Sequence, residues 1–149
     1  MKKTIISLSV FVILTILYSF ANANVETYSL TIEVKDLRNS KGVVQIALYN
    51  QEKTIPDEAY KKYYKMVTTH ITNGSATFTF LDIPSGKYAV NILHDENKNG
   101  KIDKGFILPL EGIGFSNYQT IGFSNRPSFS KASFDLKENQ TMNIKVIYM

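Results

Sequence analysis

The chain has no cysteine and only two histidines among its 149 residues. Without cysteine there is no disulfide, no thiol nucleophile, no thiolate ligand for zinc and no lipid-modified cysteine behind a leader. The histidines, His70 and His94, are far apart, so an imidazole-based zinc site has little support. No Ser or Cys nucleophile motif and no glycine-rich phosphate loop occurs, which argues against an enzyme. Blocks of like charge, proline-rich linkers and low-complexity tracts are missing too, so the sequence marks no second domain and no nucleic-acid-binding tail.

The one long apolar run is at the N-terminus. Lys2 and Lys3 precede an uncharged stretch over 4–20, and "ANA" follows at Ala21, Asn22 and Ala23. A basic start, an apolar middle and small residues before the cut form a secretory signal peptide, assigned to 1–23. The stretch falls short of the roughly 20 residues a spanning helix needs, so no transmembrane segment is expected after cleavage. Residues 24–149 then form one domain, exported to the periplasm or secreted. With Lys2 and Lys3 removed, 15 basic residues face 13 acidic ones, a net of +2 that is too weak to attract nucleic acid. A domain of this size can bury a core sufficient for stability without staples, as a monomer.

Alternation of apolar and polar residues recurs along the domain and predicts strands. Tyr28, Leu30, Ile32 and Val34 form one row, and Val44, Ile46 and Leu48 another. Residues 66–71 and 76–80 flank Asn73-Gly74, the signature of a tight hairpin. Tyr88, Val90 and Ile92 follow a turn at 84–86. Ala132, Phe134 and Leu136 form a row, as do Met142, Ile144, Val146 and Tyr148, with Glu138-Asn139 turning between them. The expected fold is all-β, a single antiparallel β-sandwich of about seven strands, immunoglobulin-like or transthyretin-like.

Two segments break the rhythm. "TIPDEAYKKYYK" at 54–65 opens with a helix-start signal and predicts one short helix covering an end of the sandwich, with Tyr60 and Tyr64 on one face. Residues 96–128 form a long glycine-rich loop in which "IGFSN" occurs at 113–117 and again at 121–125, with Phe115 and Phe123 as expected anchors.

"HDENKNGKID" at 94–103 comes closest to chemistry. Counted as a calcium loop from Asp95, it places Asn97 third, Asn99 fifth, Gly100 sixth, Lys101 seventh and Asp103 ninth. Lys101 would ligate through its backbone carbonyl. Position twelve, where a bidentate glutamate belongs, is Phe106, so Glu111 or Glu96 would have to supply that carboxylate. Neutral asparagines and Lys98, Lys101 and Lys104 keep any affinity weak, near dissociation constants of about 10⁻⁴ to 10⁻³ M. The competing reading is a metal-free turn in which Asp95, Asn97 and Asn99 bond backbone N–H groups. No cofactor is required, and calcium is the one candidate. His94, in phase with Tyr88, Val90 and Ile92, points to the core edge and is expected to meet a loop carbonyl. A hydrolase-like site would draw on His94, Asp103 and Glu111 beside Asp95.

Three segments together resemble the bacterial family known as domain of unknown function 2141: "LDIPSGKYAVNILHDENKNGKID", "LEGIGFSN" and "RPSFSKASFDL", at 81–103, 110–117 and 126–136. The family's acidic loop falls on His94, Asp95, Asn97, Asn99, Gly100, Lys101 and Asp103. Its glycine segment falls on Glu111, Gly112, Gly114, Phe115, Ser116 and Asn117, while the second "IGFSN" departs from the pattern. The resemblance implies a single exported β-sandwich domain and carries no activity. The expectation is an exported, non-enzymatic binding module or cell-envelope accessory, partnered by an unidentified ligand or envelope protein. A purely structural envelope domain is the other non-enzymatic reading.

Overall fold

The computed structural model describes residues 25–106 and 108–149, so the leader assigned to 1–23 lies outside the described residues. The eight strands of the described residues form two sheets. The first holds β1 (Thr27–Val34), β4 (Ala76–Pro84) and β8 (Gln140–Asn143) in the order β4-β1-β8. The second holds β2 (Val43–Tyr49), β3 (Lys65–Thr69), β5 (Gly86–Asp95) and β6 (Gly112–Phe115) in the order β3-β2-β5-β6, with β7 (Phe134–Leu136) on the early residues of β5. The all-β sandwich expected from alternation is present. One pairing is not antiparallel: β1 and β8 run parallel.

Between the sheets the predicted rows meet. Leu30, Ile32 and Val34 of β1 pack with Val44, Ile46 and Leu48 of β2 and with Val90 and Ile92 of β5. Each such side chain taken out of water stabilises the fold by about 1.5–3 kcal/mol. Alternation is genuine in β1, whose Thr31 and Glu33 are only half-buried. In β2 it fails, because all seven residues are buried, and β5 is buried from Tyr88 to Asp95. The outer face of the larger sheet, carrying Ala47, Tyr49, Ala89 and Leu93, is therefore not in water. Ile55, Tyr60, Phe115, Tyr118 and Phe129 cover it, making a second apolar layer.

Several local expectations change. Asn73 (φ 51°) and Gly74 (φ 70°) do form the tight turn, closed by reciprocal bonds between Thr72 and Ser75. The flanking strands then part, β3 pairing with β2 and β4 with β1, so the turn links the two sheets instead of making a hairpin. The helix expected over 54–65 is absent. Asp57 captures the N–H groups of Lys61 and Lys62 at 2.8 and 2.7 Å, and Tyr60 takes a left-handed φ of 49°, which ends any helical run. Among the described residues the helix found is one turn, α1 (Phe129–Ala132), N-capped by Ser128 and occupying the start of an expected strand. The last predicted strand also divides. After β8, Ile144 bonds the Glu33 carbonyl in the first sheet while Ile147 pairs with Ile113 in the second, so the C-terminal segment bridges the layers.

Glycines in β6 permit that bridge. An added Cβ at Gly114 would stand 2.5 Å from the Lys145 carbonyl oxygen, and one at Gly112 would run into Val146 and Tyr148. Inside the presumed loop, the stretch 112–115 is thus a strand whose small residues admit the closing segment.

A cleft on the outer face of the sheet and the acidic loop that walls it

Asp95 ends β5 with its carboxylate in the outer layer, 2% exposed. Its two oxygens accept the N–H groups of Asn99 (3.1 Å) and Gly100 (2.8 Å), folding the chain back on itself. Lys98 and Gly100, at φ 63° and 75°, take the left-handed conformations that this turn requires. Asn97 and Asn99 each accept the N–H two residues on, and both donate their carboxamides to one oxygen of Asp103. Asp95, Asn97, Asn99 and Asp103 are thus brought into one loop.

Glu111 reaches the same loop through its backbone. One carboxylate oxygen accepts from Glu96 N–H at 3.0 Å and the other from Asp103 N–H at 3.2 Å, pinning both ends of the turn. Burial pushes the Glu111 carboxyl above the usual range, as do the nearby charges of Asp95 and Asp103, against the pull of those two N–H groups. Asp103 is held below its ordinary value by the Asn99 and Asn97 carboxamides. Among the described residues, no group of three or more His, Cys, Asp or Glu side chains is arranged to hold a metal ion.

His94 is fully buried and bonds the Lys41 carbonyl through Nε2 (2.9 Å) and the Tyr148 hydroxyl through Nδ1 (2.7 Å). The carbonyl can only accept, which assigns the proton to Nε2. Arg38 lies over the Tyr148 ring at 4.6 Å, donates to Glu96 at 2.6 Å and bonds the Leu110 carbonyl at 3.0 Å. Burial pushes the Glu96 carboxyl up, but Arg38 prevails and holds it below the usual value. These residues clamp the base of the loop from the inter-sheet side.

The two copies of "IGFSN" do different work. Phe115 is buried, the Ser116 hydroxyl joins Val90 N–H to the Ala132 carbonyl, and Asn117 donates to the carbonyls at the end of α1. In the second copy Phe123 is 78% exposed, so it is not an anchor. Asn125, the counterpart of Asn117, donates its carboxamide to the Thr120 carbonyl at 2.8 Å, within its own loop and not to α1. The second copy forms only a small turn, in which Asn125 N–H bonds the Gly122 carbonyl.

Where these loops cross the sheet they leave a cleft of about 510 Å³, within the range of small-molecule sites. Its apolar walls include Ile102, Leu108, Ile113, Phe115 and Ile121. Ile102 and Lys104 belong to the end of the acidic loop, so the carboxylate network sets one wall in place. Asn91, from the middle of β5, also lines the cleft. It is 0% exposed, and neither its amide nitrogen nor its oxygen makes a well-aligned hydrogen bond among the described residues, although the Tyr49 hydroxyl lies close enough to draw on the amide N–H. At the mouth, Lys104 pairs with Glu58 at 2.6 Å, whereas Arg126 has only the Phe123 ring beside it, 5.9 Å away. His94, Asp103 and Glu111 do not line this cleft.

Asn91 was hidden in "YAVNIL", where alternation assigns it to a solvated face. The signal available was an amide inside a nearly continuous apolar run, the pattern of a strand covered on both sides. Arg126 had no signal beyond its own charge.

Fold and cleft define a two-sheet β protein with a loop-covered outer face. The chain belongs to the family of domain of unknown function 2141, described as an uncharacterized protein conserved in bacteria, which matches residues 32–145. Neither a curated protein nor a solved structure matches it.

The raised Glu111 carboxyl makes the folded state bind protons more tightly than the unfolded chain. Its contribution to stability therefore falls as pH rises from the ordinary carboxylate range, about 4, through the raised folded value. Asp103 acts in the opposite sense, its contribution being lost as pH falls through its depressed folded value. Glu111→Gln removes the first component alone. Urea unfolding at a series of pH values should show wild type losing stability relative to the variant as pH rises from about 4 through the raised folded value. A constant difference contradicts the assigned burial of that carboxyl.

Proposed function

We propose that this chain is an exported, non-enzymatic binding module of the cell envelope that holds a small, mainly apolar molecule in the outer-face cleft. Asn91 carries the reading. A buried carboxamide without a well-aligned partner costs about 1–3 kcal/mol, and its place at the lining of an apolar cleft is accounted for by a ligand toward which the amide turns on binding. Export is supported by the basic, apolar and small-residue order over 1–23. The non-enzymatic character is supported by the engagement of His94 and Glu111, whose polar atoms are taken up by structural hydrogen bonds. The acidic loop acts as scaffold, setting the wall that carries Ile102 and Lys104.

A second reading adds weak calcium binding at Asp95, Asn97, Asn99, Lys101, Asp103 and Glu111. Its support is the gathering of the Asp95, Asn97, Asn99 and Asp103 side chains in one turn with Glu111 at both its ends. For a dissociation constant of about 1 mM, 5 mM calcium should stabilise the fold by about 1 kcal/mol. A melting midpoint in 5 mM calcium equal to that in chelator rejects this reading.

For the cleft, Asn91→Leu replaces a buried amide that lacks a well-aligned partner by an apolar side chain of similar volume. It should stabilise the free protein by about 1 kcal/mol while changing ligand affinity. The dye N-phenylnaphthylamine should bind wild type saturably at one site, and Ile121→Trp should weaken it about tenfold by filling the cleft. Destabilisation by Asn91→Leu, or no saturable dye binding, overturns the reading.

A further inference from the structure

The charges around the cleft narrow the ligand class. Asp57, Glu58, Lys104 and Arg126 line it. Asp57 accepts the Lys61 and Lys62 N–H groups and the Tyr49 hydroxyl on Oδ2, and Glu58 pairs with Lys104. Arg126 remains, a cation with no carboxylate partner among the described residues, standing over the exposed ring of Phe123. The planar guanidinium fork matches a carboxylate through two parallel N–H···O bonds. A doubly charged phosphate suits the site less, because one unpaired cation cannot neutralise it and two carboxylates already face the same space.

The rest of the cleft asks for an apolar body. Its walls are aliphatic and aromatic, and its apolar side chains reach an exposed rim at Leu108 and Phe123. Exposed apolar groups bordering an apolar cleft extend the surface on which a ligand chain can lie.

We propose that the cleft takes a single-chain amphipathic carboxylate, with its apolar chain along Ile102, Ile113 and Ile121 and its carboxylate on Arg126. A hydroxyl or carbonyl oxygen on the natural ligand would accept from Asn91. This rests on the cleft being a binding site, as proposed above.

The test is competition against bound N-phenylnaphthylamine by decanoate and by methyl decanoate, which share a chain and differ in charge. Decanoate should displace the dye at about tenfold lower concentration than the ester in wild type, the worth of one charge-assisted contact at a partly exposed site. Arg126→Gln should abolish that preference, acid and ester being compared against the dye affinity measured for the same variant, and Arg126→Lys should retain part of it. Both substitutions are at an exposed loop position, and the dye titration itself reports an intact cleft. Equal displacement by acid and ester in wild type, or a preference surviving Arg126→Gln, overturns the carboxylate proposal while leaving the binding reading standing. Failure of the dye to bind wild type overturns both.

Discussion

The larger sheet is apolar on both faces, and most of the structure follows from the need to cover the second one. Ala47, Tyr49, Ala89 and Leu93 face away from the inter-sheet core and are as fully buried as the residues facing it. Among the described residues no second sheet or long helix lies over them. Loops do, and a loop pressed onto an apolar surface brings N–H groups that no strand or helix satisfies. Three buried carboxylates meet that demand. Asp57 takes two N–H groups of the 50–64 cover, Asp95 two of its own turn, and Glu111 one at each end of the acidic loop. Their exposures of 6, 2 and 4% show that they work inside the layer, not at its surface. Charge-assisted bonds to N–H work against the desolvation of Glu111, but burial prevails and raises its proton affinity.

The cleft is a consequence of the same arrangement. Covering loops cannot interdigitate with a sheet as closely as a second sheet does, and where the acidic loop and the 116–128 segment converge above Asn91 a space remains. The clamp of His94, Tyr148, Arg38 and Glu96 anchors the loop base from the core side, and Gly112 and Gly114 let the C-terminal segment close against β6. Core, loop and cleft are therefore coupled through short paths, with the acidic loop as the shared wall.

Alternation in the sequence located the inner rows of β1, β2 and β5, because Leu30, Val44, Val90 and their neighbours face a core on one side, but it stopped β4 at Phe80 and left out Ile83. It misled at β2 and β5, where "VVQIALY" and "YAVNILHD" are nearly continuous in apolar character and the period of two hides a second buried face. The helix over 54–65 was expected from Pro56, Asp57 and Glu58 at a helix start. Asp57 instead binds N–H groups four and five residues on, a tertiary choice fixed partly by Tyr49 at 3.2 Å. The turn chemistry of Asp95, Asn97 and Asn99 was legible because it is local in sequence. Asn91 and Arg126 were not, since their meaning depends on which loops end beside them. Phe115 and Phe123 make the same point: identical pentapeptides have opposite exposure because only the first pairs with β5.

Amide hydrogen exchange tests the covering layer most directly. If carboxylates inside it satisfy the loop backbone, the N–H groups of Lys61, Lys62, Glu96, Asn99, Gly100 and Asp103 should exchange far more slowly than those of an open loop. Their protection should approach that of edge-strand amides even though several of these residues are themselves exposed. Exchange at those six positions as fast as in an unstructured peptide would contradict the account.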